Sequence, residues 1–473
     1  MLIARDKEKK MLSDLLKKDE SSFVAVYGRR RIGKTYLIRE TLGDSFIFQH
    51  SGYYGGKLSD QLFAFSTSLR EYGTEEYERP KSWLEAFEQL KDLIRRSEKT
   101  GKKVIFLDEL SWMDTKGSDL IMAIEGFWNG WASARKDIVL IVCGSATTWM
   151  ISNVVHNKGG LYNRLSFAIN LQPFTLKECE EYIQSRNIVM NRHQIIECYM
   201  ILGGVAYYWS LLQRGLSLPQ NIDEMFFSRK ALLKNEFEYL YASIFKNPQK
   251  YMDIITALGT KKTGMTRQEL LSATGMANSG TFSNRLDDLE SCGFIRKYYE
   301  LGKSERNAVY QLIDNFTLFY FKFMKKKVTD EHFWSNRRDS AGLNAWCGLA
   351  FEMVCLEHVA QIKNALGIAG VSTEVKTLSC SADADKGIVG SQIDLMIVRR
   401  DQVINLCEMK YSRKVYTVTK KVDADITNKI NDLRIVTGTR YAIHPVLVTV
   451  YGIAENSYFG NIQNVITADD LFG

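Results

Sequence analysis

Near its N-terminus the chain reads Phe23-Val24-Ala25-Val26-Tyr27-Gly28-Arg29-Arg30-Arg31-Ile32-Gly33-Lys34-Thr35-Tyr36-Leu37-Ile38-Arg39-Glu40. The first five residues form an apolar run that predicts a buried strand, and the residues after Thr35 predict a helix. Between them, every fixed position of the pattern G-x-x-x-x-G-K-[ST] is filled. A strand, a glycine-bounded loop and a helix in this order predict an α/β fold built around a phosphate-binding loop.

The loop also predicts a ligand. Its glycines allow a tight turn, and backbone N–H groups at a helix N-terminus attract phosphate. Lys34 is expected to reach the β- and γ-phosphates, and the Thr35 hydroxyl is expected to bind Mg²⁺. We therefore predict ATP and Mg²⁺ as cofactors. The expected nucleotide-binding residues are Gly28, Arg29, Arg30, Arg31, Ile32, Gly33, Lys34, Thr35 and Tyr36.

A second apolar run ends in two acids, at Asp108 and Glu109. Phosphoryl transfer depends on positioning and charge neutralisation, which a few well-placed groups supply. We expect Asp108 to hold the Mg²⁺ shell through water or through Thr35, and Glu109 to polarise the attacking water. The alternative is a strand end that carries two solvated acids.

Two further residues are candidates for contacts with the transferred phosphate. Ser145 follows a third apolar run, residues 138–144, where a group touching the γ-phosphate or the water would lie. Its alternative role is a helix N-cap. Arg164 follows the Gly159-Gly160 loop, and across a subunit interface it could supply charge to the transition state. That role would require a homo-oligomer formed through the ATPase part, and the alternative is an ordinary surface arginine.

As a set, these motifs resemble the archaeal-type group of the AAA-like P-loop ATPases. The resemblance also rests on the runs Ile3-Ala4-Arg5-Asp6-Lys7-Glu8, Leu161-Tyr162-Asn163-Arg164, Leu171-Gln172-Pro173-Phe174 and Gly203-Gly204-Val205-Ala206-Tyr207-Tyr208. Asn163 stands where that group is expected to have glycine. The resemblance implies an ATPase core at residues 1–174 and a helical lid at residues 175–245.

Residues 246–315 have the pattern of a winged helix. Thr266 and Glu269 form a capping-box pair before one helix, and a second helix is expected from Ser279 to Ser291. A β-hairpin follows, so the order is helix–turn–helix–hairpin. If this module contacts DNA, the phosphate contacts are expected at Arg296, Lys297, Lys303 and Arg306. The alternative is a structural spacer, because the second helix also carries three acids.

The C-terminal third contains a second group of charged residues, after an expected linker helix at residues 316–340. Glu352 lies on a largely apolar helix, Asp394 on a strand, and Glu408 and Lys410 two apart on the next strand. Residues two apart in a strand share a face. Carboxylates around a divalent ion, with a lysine beside them, suit phosphodiester hydrolysis.

This order of acids and lysine resembles the PD-(D/E)xK nuclease superfamily over residues 341–473. The resemblance implies catalytic roles for Glu352, Asp394, Glu408 and Lys410, with Asp394 and Glu408 holding Mg²⁺ or Mn²⁺. The alternative is an inactive domain that only binds nucleic acid or protein.

Composition agrees with a cytoplasmic protein. The chain has 473 residues, 45% of them hydrophobic and 25% charged, and a net charge of +7, which permits a DNA partner without requiring one. Eight scattered cysteines without a C-x-x-C pair predict reduced thiols, and no run is apolar enough to predict a membrane span. The sequence therefore predicts an ATPase joined through a winged helix to a DNA nuclease. The alternative is a nucleotide-controlled switch that does not cleave.

Overall fold

The structure is a computed structural model that describes residues 2–73, 78–245, 247–301, 308–326, 328–337 and 340–473. The chain divides into two compact units. The N-terminal unit contains Met1–Pro173, Leu240–Pro248 and Leu286–Cys292. The C-terminal unit contains Phe174–Tyr239, Gln249–Arg285 and Gly293–Gly473.

The N-terminal unit is built on a five-stranded parallel sheet in the order β2-β3-β4-β1-β5. The strands are β1 Ser22–Tyr27, β2 Phe46–Ser51, β3 Lys103–Asp108, β4 Ile138–Gly144 and β5 Phe167–Asn170. The helices are α1 Asp6–Asp14, α2 Lys34–Leu42, α3 Leu58–Tyr72, α4 Trp83–Arg96, α5 Leu110–Met113, α6 Leu120–Gly130 and α7 Thr147–Met150. The predicted α/β fold with a parallel central sheet is confirmed.

Both faces of this sheet are covered, so its central strands are apolar throughout. Alternate residues of β1, such as Phe23 and Val24, belong to two different hydrophobic clusters. The Phe23 cluster contains residues of α3, α4 and α6, whereas the Val24 cluster contains residues of α1 and α2. A strand buried on both faces shows no polar alternation, which explains the continuous apolar runs of the sequence.

A run of helices opens the C-terminal unit. They are α8 Leu176–Ser185, α9 Arg192–Leu202, α10 Ala206–Ser210, α11 Leu218–Ile222 and α12 Glu236–Ile244, the last of which ends in the N-terminal unit. Side-chain caps define where three of them begin: Thr175, Asn191 and Ser217 each form a capping box with the residue three positions on.

The middle of the chain has the elements that the sequence predicts for residues 246–315. They are α13 Pro248–Leu258, β6 Met265–Thr266, α14 Arg267–Thr274, α15 Gly280–Ser291, β7 Ile295–Tyr298 and β8 Val309–Leu312. The three strands form an antiparallel sheet in the order β6-β8-β7, and Thr266 caps α14 as expected. Lys303 and Arg306 lie outside the described residues.

The last part of the chain contains a five-stranded mixed sheet in the order β15-β13-β11-β10-β9. Its strands are β9 Thr373–Cys380, β10 Ser391–Arg399, β11 Val403–Lys410, β13 Ala442–Thr449 and β15 Asn464–Ile466, with β12 Tyr416–Thr417 and β14 Ile453–Ala454 as a separate pair. The helices are α16 Asn315–Phe319, α17 Ala341–Glu357, α18 Val359–Ala365, α19 Lys420–Thr437 and α20 Ala468–Leu471. Strand β10 is antiparallel to both neighbours, whereas β11, β13 and β15 run parallel.

The stretch expected to be a linker packs into the interior of the C-terminal unit. Phe323 contacts Trp334 and Trp346, with ring centroids 5.1 and 5.2 Å apart. The buried Asp223 carboxylate accepts a hydrogen bond from the Trp334 backbone N–H at 2.7 Å. Phe323 and Trp334 of this stretch are therefore held by aromatic packing, which the basic run at Lys325 and Lys326 does not reveal.

Two smaller expectations concern thiols and membranes. All eight cysteines are free, and only Cys380 among them is not buried. Within the described ranges, none of the helices combines the length and the apolar character that a bilayer span needs.

Candidate functional site

The phosphate loop follows β1 and ends at the first residue of α2. Gly28 has φ +137°, and a Cβ there would lie 2.3 Å from the Leu171 carbonyl oxygen. Gly33, the N-cap of α2, has φ +92°. Both positions favour glycine, because other residues rarely adopt these angles and a side chain at residue 28 would collide with backbone.

Lys34 is held inside the loop. Its ammonium group donates to the carbonyl oxygens of Gly28 and Arg29 at 2.9 and 2.8 Å, and to Ser145 Oγ at 3.1 Å. The side chain is almost fully buried. A buried cation surrounded by oxygen acceptors is suited to stabilise phosphate charge, because phosphate oxygens offer the same chemistry.

Thr35 and Asp108 provide neighbouring oxygen ligands. Thr35 Oγ1 donates to Asp108 Oδ2 at 2.7 Å, and Asp108 is buried at the end of β3. Mg²⁺ prefers hard oxygen ligands and is commonly bound through one or two carboxylates with water and substrate phosphates. This hydroxyl and carboxylate therefore fit the magnesium ion that the loop predicts.

Glu109 and Ser145 form the other half of the site. Glu109 has φ +46°, and it accepts hydrogen bonds from Ser145 Oγ at 2.8 Å and from Ser145 N at 3.3 Å. Burial raises the pKa of Glu109, and the Lys34 charge opposes this rise. The N-cap of α7 is Ala146, so Ser145 bridges Lys34 and Glu109 and does not cap that helix.

The remaining predicted nucleotide-site residues differ in exposure. Arg29 and Ile32 are buried, Arg31 has φ +69°, and Tyr36 is 48% exposed. Arg30 lies over the Trp112 ring at 5.5 Å, and its Nη1 donates to the Ser243 carbonyl oxygen at 3.4 Å.

Arg164 lies on the surface of the N-terminal unit. The loop before it is attached to α6, since the Gly160 N–H donates to Glu125 and the Gly160 carbonyl accepts from Asn129. In the described part of the chain, Arg164 stands apart from the hydrogen-bonded group of Lys34, Ser145 and Glu109.

In the C-terminal unit two adjacent strands each carry a predicted acid next to their last recorded residue pair. Leu395 of β10 is paired with Cys407 of β11 in an antiparallel arrangement. Asp394 and Glu408 are the next residues beyond this last pair, so they lie at the same end of the two strands. The pairing of β10 with β9 shifts register between Ile393 and Met396, at Asp394 itself. Such a bulge re-aims a side chain and is common beside active sites.

Glu408 is held between two lysines. Its carboxylate oxygens lie 2.6 Å from Lys410 Nζ and 2.5 Å from Lys429 Nζ. Burial alone would raise the pKa of Glu408, but Lys429 and Lys410 together hold it below its usual value.

Glu352, on α17, pairs with a lysine from the middle of the chain. Lys262 Nζ lies 2.9 Å from Glu352 Oε2. Burial raises the pKa of Glu352, and the charges of Asp394 and Glu408 act in the same direction. Within the described ranges, however, no group of three His, Cys, Asp or Glu residues is placed to hold a metal ion. A two-carboxylate metal site at Asp394 and Glu408 therefore stays a prediction.

Sequence reasoning missed two residues of α19 that complete this region. Lys429 pairs with Glu408, and the fully buried Asp432 accepts hydrogen bonds from the N–H groups of Val389 and Gly390, both at 3.0 Å. Asp432 thereby fixes the chain where β10 begins. Lys429 and Asp432 are three residues apart, so their side chains lie on one face of α19. This spacing is the feature of the sequence that could have identified them.

A comparison with protein families supports the first site. Residues 2–212 match the model of an ATPase domain found predominantly in Archaea. This chain carries a P-loop ATPase domain. The matched range includes Lys34, Glu109 and Ser145.

The individual proteins that resemble this chain have low sequence identity to it. The uncharacterized protein MJECL04 of Methanocaldococcus jannaschii is 24% identical over 367 residues, which cover 76% of this chain and 78% of that protein. The Walker-type ATPase PABY2304 of Pyrococcus abyssi is 16% identical, with 68% of this chain and 96% of that chain covered and a TM-score of 0.45. The ORC2 protein of Aeropyrum pernix in its ADPNP–ADP complexes is 14% identical, with coverages of 76% and 96% and a TM-score of 0.43.

Proposed function

We propose that this ATPase controls a C-terminal, divalent-metal-dependent nuclease centre that acts on DNA. The observation that carries the nuclease part is the position of Asp394 and Glu408 directly beyond the last residue pair of two adjacent antiparallel strands. Lys410 shares the face of Glu408 and contacts it at 2.6 Å. Two carboxylates and a lysine on one sheet face form the smallest set that metal-assisted phosphodiester hydrolysis needs.

In the ATPase domain each residue has a distinct task. Lys34 stabilises negative charge on the β- and γ-phosphates, and Thr35 and Asp108 would hold Mg²⁺, whose role when bound is to neutralise phosphate charge. Glu109 orients the attacking water. Ser145 is a positioning residue, because it holds the Glu109 carboxylate and the Lys34 ammonium group at fixed distances.

In the nuclease centre Asp394 and Glu408 would hold Mg²⁺ or Mn²⁺, whose role when bound is to neutralise the scissile phosphate and to activate water. Lys410 orients that water or stabilises the charge that develops on the phosphate. Glu352 supplies a third negative charge beside the pair, in keeping with its electrostatic interaction with both acids.

The proposal extends to organisation and partners. Residues 246–315 act as a winged helix between an ATPase core with its lid and the nuclease domain, and DNA is the partner. Arg296 is an unsuitable phosphate contact, because its Nε donates to Gln311 Oε1 at 2.6 Å and burial lowers its pKa. A role for the exposed Arg164 at a neighbouring ATPase domain would make the active form a homo-oligomer in the cytoplasm.

One observation favours a second function. Glu352 and Glu408 are both neutralised by lysines, and no three-acid group is assembled among the described residues. A C-terminal domain in that state could bind nucleic acid or protein without cleaving it. ATP would then control the assembly of this protein.

The deciding experiment compares full-length wild type with Asp394→Ala and Lys410→Ala. Linear, circular and branched DNA are incubated with Mg²⁺ or Mn²⁺, with and without ATP. Asp401→Ala is the matched control, because this exposed acid lies on the same hairpin and pairs only at the surface with Arg399. Cleavage by wild type and Asp401→Ala alone supports the nuclease. Intact ATP hydrolysis with no cleavage on any substrate supports the switch, and equal cleavage by all variants indicates a contaminant.

A further inference from the structure

A turn in the middle of the chain supplies a cation to the candidate nuclease centre. Lys262 lies between α13 and β6, and its Nζ is 2.9 Å from Glu352 Oε2 and 3.2 Å from Oε1. The Glu352 side chain is 16% exposed, so this ion pair is partly shielded from water. Because both carboxylate oxygens face the ammonium group, Lys262 competes with any metal ion for the same ligand.

The turn that carries Lys262 is itself fixed. The Lys262 carbonyl oxygen accepts from Gln311 Nε2 at 2.8 Å, and the Tyr298 hydroxyl donates to the Thr263 carbonyl at 2.5 Å. Gly264 has φ +79°, and a Cβ there would lie 2.5 Å from the Tyr310 carbonyl oxygen. The hairpin β7–β8 therefore holds the backbone of this turn in place. The turn positions Lys262 beside Glu352.

The same hairpin is attached to the nuclease-like sheet. Glu300 forms a parallel bridge with Thr377 of β9, and the Leu301 N–H donates to the Thr377 carbonyl at 2.9 Å. Arg296 of β7 lies close enough to Asp394 for their charges to interact. The middle segment, defined as residues 249–285 and the described residues of 293–312, thus directs the Lys262 ammonium group toward Glu352.

The seam between the middle segment and the sheet is not closely packed. A cavity of about 310 Å³ lies there, with Asp394, Gln392, Thr377, Tyr298 and Glu300 among its lining residues. A polar contact surface that encloses a cavity separates more easily than an apolar core. The reason is that less apolar surface becomes exposed to water on separation.

We propose that the middle segment is an autoinhibitory element that holds the candidate nuclease centre closed through Lys262. This inference rests on the proposed nuclease function. When the segment withdraws, Glu352 loses its lysine partner and becomes a third carboxylate beside Asp394 and Glu408. The closed state then accounts for the lack of a three-acid group among the described residues.

The test measures Mn²⁺ binding to the full-length protein without DNA or nucleotide. Lys262→Met keeps the length of the side chain and removes its charge, whereas Lys262→Arg keeps the charge. Lys261→Met is the matched control, because the neighbouring Lys261 pairs with Glu269 at 2.6 Å and not with Glu352. The Asp394→Ala versions identify binding at this centre as opposed to the phosphate loop.

We expect Lys262→Met to bind Mn²⁺ about two- to fivefold more tightly than wild type at the Asp394-dependent site, given what partly exposed ion pairs contribute. Lys262→Arg and Lys261→Met should match wild type, and ATP-independent DNA cleavage should rise only in Lys262→Met. Unchanged Asp394-dependent binding in Lys262→Met would overturn the autoinhibition alone. If Asp394→Ala alters neither Mn²⁺ binding nor cleavage in any background, the nuclease proposal itself fails.

Discussion

At the residue scale, Ser145 links the two charged groups of the ATPase site. Its hydroxyl accepts from Lys34 and donates to Glu109, at 3.1 and 2.8 Å. The sequence could place Ser145 at a strand end, but not between those two side chains. That position depends on β1, β3 and β4 lying side by side, which brings their carboxyl ends to one edge of the sheet.

Replacing Lys34 tests the phosphate loop. We expect Lys34→Ala to lower ATP turnover at least about 100-fold, because the positioned charge that stabilises the transferred phosphate is removed. The measurement is steady-state phosphate release. Lys17→Ala, which removes an exposed surface lysine, should retain wild-type turnover. Unchanged hydrolysis by Lys34→Ala would exclude this loop as the ATP site.

Replacing Glu109 separates nucleotide binding from hydrolysis. Glu109→Gln keeps an oxygen for the Ser145 hydroxyl but loses the negative charge that polarises water. We expect ATP turnover to fall about 100-fold or more while ATP affinity stays within a few fold of wild type. Fluorescent-nucleotide binding and phosphate release measure the two effects. An equal loss of ATP affinity and ATP turnover in Glu109→Gln would show that Glu109 mainly maintains the structure of the site.

At the element scale, the sequence predicts best those strands that end in a chemically distinctive residue. The apolar runs before Gly28, Asp108 and Ser145 are β1, β3 and β4, and β11 has the bounds of residues 403–410 that its apolar pattern indicates. The ion pair between Lys429 and Glu408 could not be predicted. Lys429 reaches Glu408 from 21 residues away, through the packing of α19, which no local pattern specifies.

Gly28 tests the geometry of the loop that joins β1 to α2. We expect Gly28→Ala to lower the free energy of unfolding by about 1–3 kcal/mol, because it combines an unfavourable φ with a backbone collision. Gly43→Ala is the control, since a Cβ there meets no atom within 4 Å. Thermal unfolding with and without ATP should show a lower Tm and a smaller ATP-induced shift for Gly28→Ala alone. Equal behaviour of both variants would contradict the loop geometry.

His358 gives a pH dependence at the junction of α17 and α8. Its Nε2 accepts from the Leu176 N–H at 3.0 Å and its Nδ1 lies 2.8 Å from the Val354 carbonyl, so the neutral ring donates from Nδ1. Burial lowers the pKa of His358 to about 4. The unfolded chain therefore binds the proton first, and stability is lost as pH falls from about 6.5 toward 4.

We expect this histidine to contribute a loss of about 2 kcal/mol between pH 7 and pH 5, from the difference between unfolded and folded proton affinity. The measurement is the Tm of wild type and His358→Gln across that range. The Tm of the variant should depend less on pH, whereas the exposed His332→Gln should follow wild type. Identical pH slopes for all three proteins would contradict the assignment.

At the scale of the whole molecule, the sequence predicts five segments, and the structure groups the chain into two units. The difference is clearest at α15, whose residues 286–291 belong to the N-terminal unit while residues 280–285 belong to the C-terminal unit. Segment boundaries drawn along a sequence assume that each domain is continuous. Each unit of this structure instead combines separate stretches of the chain. The domain boundaries drawn from the sequence therefore remain predictions.

Coupling between ATP hydrolysis and DNA cleavage is the central claim at this scale. Its most direct test measures ATP turnover and DNA cleavage together, in the presence of ATP, Mg²⁺ or Mn²⁺ and the same DNA substrates, for wild type, Lys34→Ala and Asp394→Ala. The account predicts that Asp394→Ala hydrolyses ATP and does not cleave, and that Lys34→Ala loses both ATP turnover and the ATP dependence of cleavage. Cleavage by Asp394→Ala at the wild-type rate, or no cleavage by wild type with ATP hydrolysis intact, would contradict it.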